Sequence, residues 1–416
     1  MKLYIDPGVS SMLFTIVIGI FGALVYVFRN ILLKAKFAIN GGRKARDHLK
    51  DDRESFVFYT DSKRYWNIFK PLCDEMEQRG QDVLYLTASE DDPLLSEKYQ
   101  HIRCEYAGKD NKAYARMNFI RSMIVLSSTP SLDVYQWKRS RDVSWYVHIS
   151  HGIYDFGTYK MFGLDYYDSV LLCGPFQEAT IRETERVRHL PAKETVVVGA
   201  PQLDYMRDLV SRSTMAQKSG VTVLLAPSWG CNSIFNRFGE TIIQALINTG
   251  YHLIIRPHPQ SMISEKDLMD KMQSQFPVSE NLEWNFDNDN FDVLNRSDIL
   301  ISDFSGVIFD FAMVFDKPII YTEASFDTRP YDAGWLENEM WFLTILDKLG
   351  KKLTSDNVDS IKLLIDDCLT NDQFKSGRDE VRQEVWSYIG ESVEKVADYL
   401  VNKKEELDLI ESNRKK

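Results

Sequence analysis

The chain has 416 residues, enough for two domains with separate cores, and its 44% hydrophobic, 12% aromatic and 27% charged residues mark it as folded. A formal net charge of -11 excludes a general nucleic-acid binder, which needs a basic face to neutralise phosphates. The five cysteines (Cys73, Cys104, Cys173, Cys231 and Cys368) are scattered, odd in number and lack a C-x-x-C pair, which suits reduced thiols rather than a disulfide framework or a zinc site.

Residues 12–28, MLFTIVIGIFGALVYVF, carry no charge. As a helix rising ~1.5 Å per residue, the run nearly spans a hydrocarbon core of ~30 Å. A cleaved leader fits poorly, because only Lys2 and the acidic Asp6 precede the run and no small-x-small site follows it. A buried core helix fits poorly too, for want of a polar stripe. Basic residues crowd the far side (Arg29, Lys34, Lys36, Arg43, Lys44 and Arg46). The positive-inside rule therefore predicts a single-pass anchor over residues 10–30 in the plasma membrane, with the body on the cytoplasmic side of the lipid bilayer.

Beyond the anchor, strands and helices alternate. Short β-rich runs fall at 56–59, 83–87, 123–127, 145–149, 170–173 and 195–198, with helix-compatible stretches at 66–79 and 175–188. The strands are continuously apolar rather than alternating, which predicts parallel sheets covered on both faces. The polar run SRSTMAQKSG at 211–220 reads as a linker. A second series follows: strands at 221–225, 253–256, 299–302 and 319–321, and helices at 235–248, 265–275 and 306–315. From residue 358 the chain reads as helical and charged, ending in a solvated run over 403–416. The expected domains are 52–212 and 220–385, both doubly wound α/β, followed by a charged C-terminal helix or tail over 386–416. Such sheets bind ligands at the carboxyl ends of their strands. No G-x-G-x-x-G opens a helix and no G-x-x-x-x-G-K-[ST] occurs, so neither a dinucleotide fold nor a P-loop is signalled.

Four stretches sit where a strand hands over to a loop or helix. In Ile149-Ser150-His151-Gly152, the glycine allows a sharp turn and close approach, and His151 can take a proton from a hydroxyl near neutral pH. A structural histidine bonded to a carbonyl is the competing account, and His148, inside the strand, is assigned to that role. In Ala226-Pro227-Ser228-Trp229-Gly230, the proline stops the strand and Ser228 or the following amides can donate to an anion; an ordinary turn with a packed Trp229 accounts for it equally well. In Arg256-Pro257-His258-Pro259, each proline holds the preceding residue in extended geometry, so a guanidinium and an imidazole leave a rigid strand end as an anion clamp. In Ser302-Asp303-Phe304-Ser305-Gly306, Ser305 is expected to cap a helix whose free amides face a phosphate, with Gly306 permitting close approach. Asp303 beside a phosphate would be repelled and is expected to orient a histidine or a backbone amide.

Taken together, these stretches resemble the CDP-glycerol glycerophosphotransferase family, enzymes that prime and polymerise teichoic-acid-like polymers. The resemblance runs from about residue 143 to 333. It rests on HG (His151, Gly152), APSW (Ala226 through Trp229), RPHP (Arg256 through Pro259) and SDFSGVIFDFA at 302–312. Two departures are visible: Ile153-Tyr154-Asp155 replaces the common T-P-x-K, and Gly306 stands where a second serine is common. The resemblance implies a GT-B fold and transfer of glycerol phosphate, or a related polyol phosphate, from a CDP-activated donor to a membrane-linked or polymer hydroxyl, with release of CMP. It implies an acceptor side in domain 52–212, a CDP-donor side in domain 220–385, and His151 and His258 as catalytic residues. Gly152, Ser228, Trp229, Arg256, Ser302, Asp303, Ser305 and Gly306 are the implied substrate-binding residues. No cluster of carboxylates suggests a metal site, and no cofactor is expected beyond CDP-glycerol as donor substrate. Homo-oligomerisation stays open. A GT-B glycosyltransferase or epimerase using a nucleotide sugar, and a non-catalytic membrane-tethered scaffold, are the alternatives.

Overall fold

Among the described residues, thirteen strands carry the architecture. The computed structural model describes residues 53–415 apart from 214–219, 288, 323–327, 338 and 372. The anchor expected over residues 10–30 lies outside the described residues. Among the described residues, no helix is long and apolar enough to cross a membrane.

The first sheet contains β1 (Glu54–Thr60), β2 (Val83–Thr87), β3 (Ile102–Tyr106), β4 (Ser122–Ser127), β5 (Val143–Ile149), β6 (Ser169–Leu172) and β7 (Glu194–Val197). Their spatial order is β3-β2-β1-β4-β5-β6-β7, and every pairing is parallel. The second sheet contains β8 (Thr222–Leu225), β9 (His252–Ile255), β10 (Leu282–Trp284), β11 (Ile299–Ser302), β12 (Ile319–Thr322) and β13 (Gly350–Leu353). Its order, β10-β9-β8-β11-β12-β13, repeats the same winding, again all parallel. The apolar runs explain this arrangement. All six residues of β4 and all four of β8 and β11 are buried, as strands covered on both faces must be. The expectation of two doubly wound parallel sheets is met.

In each sheet the winding reverses beside its first strand: between β1 and β4, and between β8 and β11. Loops leaving the carboxyl ends of these strands diverge there and leave a crevice. The register sets Val57 beside Val125 in one sheet and Leu225 beside Ile301 in the other, so the loops after paired strands start level with each other.

Several local expectations are corrected. The helix expected over 235–248 is two helices, Ile234–Phe238 and Glu240–Ile247, because Gly239 between them has φ 55°. The helix expected over 306–315 is one α turn, Val307–Phe309, widened into a π turn, Asp310–Val314. Ser305 does not cap it. Gly306 occupies the N-cap position and no side chain closes the turn, while the Ser305 carbonyl accepts from the Ile308 amide at 3.2 Å.

The charged end of the chain is helical, as expected, but only partly solvated. Helix Ser392–Lys415 packs on the first sheet, burying Val396, Ala397, Leu400 and Leu407 with Phe56, Ile124 and Leu126. Lys403 is itself buried, 2.7 Å from Glu194 and over the ring of Trp145. Its aliphatic stem covers apolar surface while the ammonium reaches a carboxylate. Asp204 fixes the start of this helix by accepting from the Trp386 indole at 3.0 Å and from the amides of Gly390 and Ser392 at 2.7 and 3.0 Å.

A segment from the second half of the chain also docks on the first sheet. Arg188, its side chain 5% exposed, bridges Asp165 at 2.8 Å and Asp332, between the rings of Phe162 and Trp335. Asp332 accepts from the amides of Phe162 and Gly163 at 2.8 and 3.0 Å, and Asp155 accepts from the Trp341 amide at 2.9 Å.

Candidate active site

All four sequence stretches lie at carboxyl ends of strands, where the crevices open. In the first half, β5 ends in a tight turn: the Ser150 hydroxyl donates to the Gly152 carbonyl at 2.6 Å. Gly152 is required less by its backbone angle than by crowding, since a Cβ there would stand 2.7 Å from the Tyr154 ring. His151 is held between rings, with Tyr65 at 4.3 Å and Tyr154 at 5.1 Å between centroids. Burial, only partly opposed by the Ser128 main chain, lowers its pKa to about 4. The imidazole is therefore neutral near pH 7 and can accept a proton. His148 lies deeper, 2.8 Å from the Tyr159 hydroxyl among Phe156, Tyr159 and Tyr167, and is a structural residue.

In the second half, the Arg256 amide donates to the Leu225 carbonyl at 2.9 Å, prolonging β9 by one residue before Pro257 ends it. The guanidinium donates to the Asn285 side chain and, at 2.8 Å, to the Asp287 carbonyl, so its direction is fixed. His258 Nδ1 accepts from the Gln260 amide at 3.1 Å. That bond places the proton of the neutral ring on Nε2, making His258 an N–H donor. Its pKa is lowered to about 4, by burial first and then by Arg64, with Glu265 opposing. Trp229, 41% exposed, has its ring 6.5 Å from that of His258.

Asp303 joins two of the stretches. It is fully buried, and its carboxylate accepts from the amides of Ser228 and Phe304 at 2.8 Å and of Ile234 at 3.0 Å. Burial raises its pKa, against these hydrogen bonds. Ser302 is also fully buried and donates to the Ala226 carbonyl at 2.7 Å. Both side chains tie the end of β11 to the loop after β8. The Ser305-Gly306 corner opens the other way: Gly306 is exposed, and the space where its Cβ would stand is open.

This layout presents a neutral imidazole on one sheet and an oriented guanidinium, an N–H donor and a helix start on the other. The family model described as CDP-Glycerol:Poly(glycerophosphate) glycerophosphotransferase matches residues 52–402. The chain belongs to this family. It is a transferase, and its family implies a CDP-glycerol donor and a hydroxyl acceptor. No curated protein matches it. Solved structures share its fold at low identity. UDP-bound MnaA of S. aureus is 13% identical with a TM-score of 0.54, over 84% of this chain and 97% of that one. The UDP-GlcNAc 2-epimerase of Neisseria meningitidis, bound to UDP-GlcNAc, is 11% identical with a TM-score of 0.53, over 84% and 100%. That of Methanocaldococcus jannaschii, with UDP-GlcNAc and UDP, is 11% identical with a TM-score of 0.51, over 84% and 99%. These GT-B-like neighbours establish the architecture alone.

Within this glycerophosphotransferase, Arg256, His258, Trp229 and Ser228 gather at the ends of β8 and β9, and Asp303 anchors Ser228 there. His151 and Gly152 sit at the end of β5, on the other sheet. Sequence reasoning passed over the loop after β1. There the Asp61 amide donates to Thr129 Oγ1 at 3.2 Å, across the first sheet's reversal point, and Ser62 caps the short turn Lys63–Tyr65. The signal was present as Thr60-Asp61-Ser62 closing an apolar strand, but only the strand order reveals that β1 borders the crevice.

Proposed function

We propose that the protein transfers glycerol phosphate, or a related polyol phosphate, from a CDP-activated donor to a hydroxyl acceptor in cell-surface polymer synthesis, releasing CMP. The observation that carries this reading is the pairing, at strand ends, of neutral His151 with the oriented Arg256–His258 pair. The acceptor oxygen attacks the phosphorus bonded to glycerol, forming a new P–O bond. The bond from that phosphorus to the bridging oxygen breaks, its electron pair leaves with CMP, and the hydroxyl proton passes to His151. An anionic diphosphate nearby would strengthen that base by stabilising the imidazolium. Arg256, His258 Nε2 and the amides at Ser305-Gly306 hold the diphosphate and offset the charge that develops on CMP. Ser228 and Trp229 line the nucleotide side, and Gly152 keeps the chain beside His151 close-packed. Ser302 and Asp303 act through the loop they hold rather than through substrate. The anchor expected over residues 10–30 would keep the body at the cytoplasmic face of the membrane, near a lipid-linked or polymer acceptor, with no metal or further cofactor in the chemistry.

A donor panel tests this. Incubated with CDP-glycerol, CDP-ribitol and UDP-GlcNAc, the protein should liberate CMP from a CDP-polyol. Release of UDP alone would sink the proposal in favour of a nucleotide-sugar enzyme, and release of nothing would favour a scaffold. His151→Ala should lower turnover by about 10²–10⁴-fold with donor binding retained.

A further inference from the structure

We propose that Arg64, delivered from the loop after β1, contacts the phosphate being transferred and so distinguishes a cytidine diphosphate donor from CMP. This rests on the transfer reading above. Arg64 leaves a turn whose neighbours are all tied down. The Ser62 hydroxyl accepts from the Arg64 amide at 3.4 Å and caps the turn, while the Lys63 amide donates to Ser89 Oγ at 3.0 Å and its ammonium pairs with Asp91. On the other side the Tyr65 ring packs against His151 at 4.3 Å, and Trp66 packs edge-on to Tyr205 at 5.4 Å. Arg64 is the exposed side chain of this fixed turn.

Its charge is felt across the crevice. Arg64 disfavours protonation of both Arg256 and His258, after the larger effect of burial at each. Asp287 and Asp289 oppose this at Arg256, Glu265 opposes it at His258, and Asp61 faces Arg64 itself. Asp287 accepts from Asn285 at 2.7 Å, and Glu265 accepts from the Gly230 amide and the Asn236 side chain at 3.1 and 2.7 Å, so both have other partners. Repulsion of this kind, between a cation of the first sheet and the groups at the end of β9, is relieved when an anion lies between them.

The direction of approach identifies which anion. Arg64 comes from the sheet that carries His151, and the residue after it, Tyr65, packs against that imidazole. In the proposed reaction the nucleoside and its phosphate stay on the second sheet, whereas the transferred phosphate must meet the acceptor at His151. The charge nearest Arg64 is therefore that of the transferred phosphate, which CMP lacks.

The full-length protein, wild type, Arg64→Ala and Arg64→Lys, would be titrated calorimetrically with CMP, CDP and CDP-glycerol. Loss of one charge-assisted contact should weaken CDP and CDP-glycerol binding to Arg64→Ala by about 10- to 100-fold. CMP should bind all three proteins alike, and Arg64→Lys should fall between the others, because an ammonium keeps the charge without the fork. Equal weakening of CMP and CDP, or no change for any ligand, would overturn the assignment while leaving the transfer reading standing. Failure of wild type to bind any cytidine nucleotide would instead overturn both. Arg64 is exposed, so matched melting curves should confirm that the variants remain folded.

Discussion

Asp303→Asn isolates the contact that ties the loop after β8 to the end of β11. The carboxylate accepts three amides, with Ser228 and Phe304 on Oδ1 at 2.8 Å each and Ile234 on Oδ2 at 3.0 Å. A carboxamide of the same shape can keep the first pair on its oxygen, but its NH2 then meets the Ile234 N–H, donor against donor. One buried amide is orphaned and the charge assistance to all three is lost, which together cost about 2–4 kcal/mol. Removing the charge recovers part of that, because burial raises the Asp303 pKa and so penalises the ionised form. The net loss should be about 1–3 kcal/mol. Urea unfolding at pH 7 should show a lower midpoint with an unchanged slope. CDP-glycerol titration should show weaker binding, since the loop from Ser228 to Ile234 is no longer fixed against β11. A variant with wild-type midpoint and wild-type donor affinity would refute the reasoning, because it would mean the three amides are satisfied without the carboxylate.

Two further outcomes follow from buried charge. Arg188→Met should lower stability by about 3–5 kcal/mol in thermal or urea unfolding, since Asp165 and Asp332 are left buried without their cation; an unchanged melt would show the bridge to be dispensable. The Asp310 carboxyl is pushed up to about 6 by burial, so the folded state holds a proton there that the unfolded chain releases near pH 4. The stabilising contribution of this proton is thus lost as pH rises from about 4 to 6, and Asp310→Asn should be more stable than wild type by about 1–3 kcal/mol at pH 7.5 and no more stable at pH 4. Urea midpoints at the two pH values check this, and a pH-independent difference would refute it.

The strands that sequence alone located are interior ones, with the exception of β7 at the edge of the first sheet. Residues 83–87 and 299–302 coincide with β2 and β11, because a strand buried on both faces must be continuously apolar. β3, β10 and β13 escaped notice for the converse reason. Each is the outermost strand of its sheet or close to a turn, and their sequences IRCEY, LEW and GKKL mix charge into short runs that read as loop. The terminal helix was legible as a helix, but its buried face was not. Its lysines and glutamates look solvated in sequence, yet Lys403 and Leu407 lie against a sheet that formed hundreds of residues earlier.

At the candidate site, sequence located the strand ends where histidine and arginine follow an apolar run. Histidine, arginine and proline placed directly after apolar runs have few structural purposes, so His151, Arg256 and His258 stood out. What it could not give was the state of those groups or their company. The lowering of both imidazoles to about 4 is a property of burial by residues far apart in the chain. The role of Asp303 needed the loop after β8 to fold back onto β11, and the place of Arg64 needed β1 to lie at the reversal of the first sheet. A side chain's identity is local and is written in the sequence. Its charge state and its partners depend on distances between segments that only the packed structure sets.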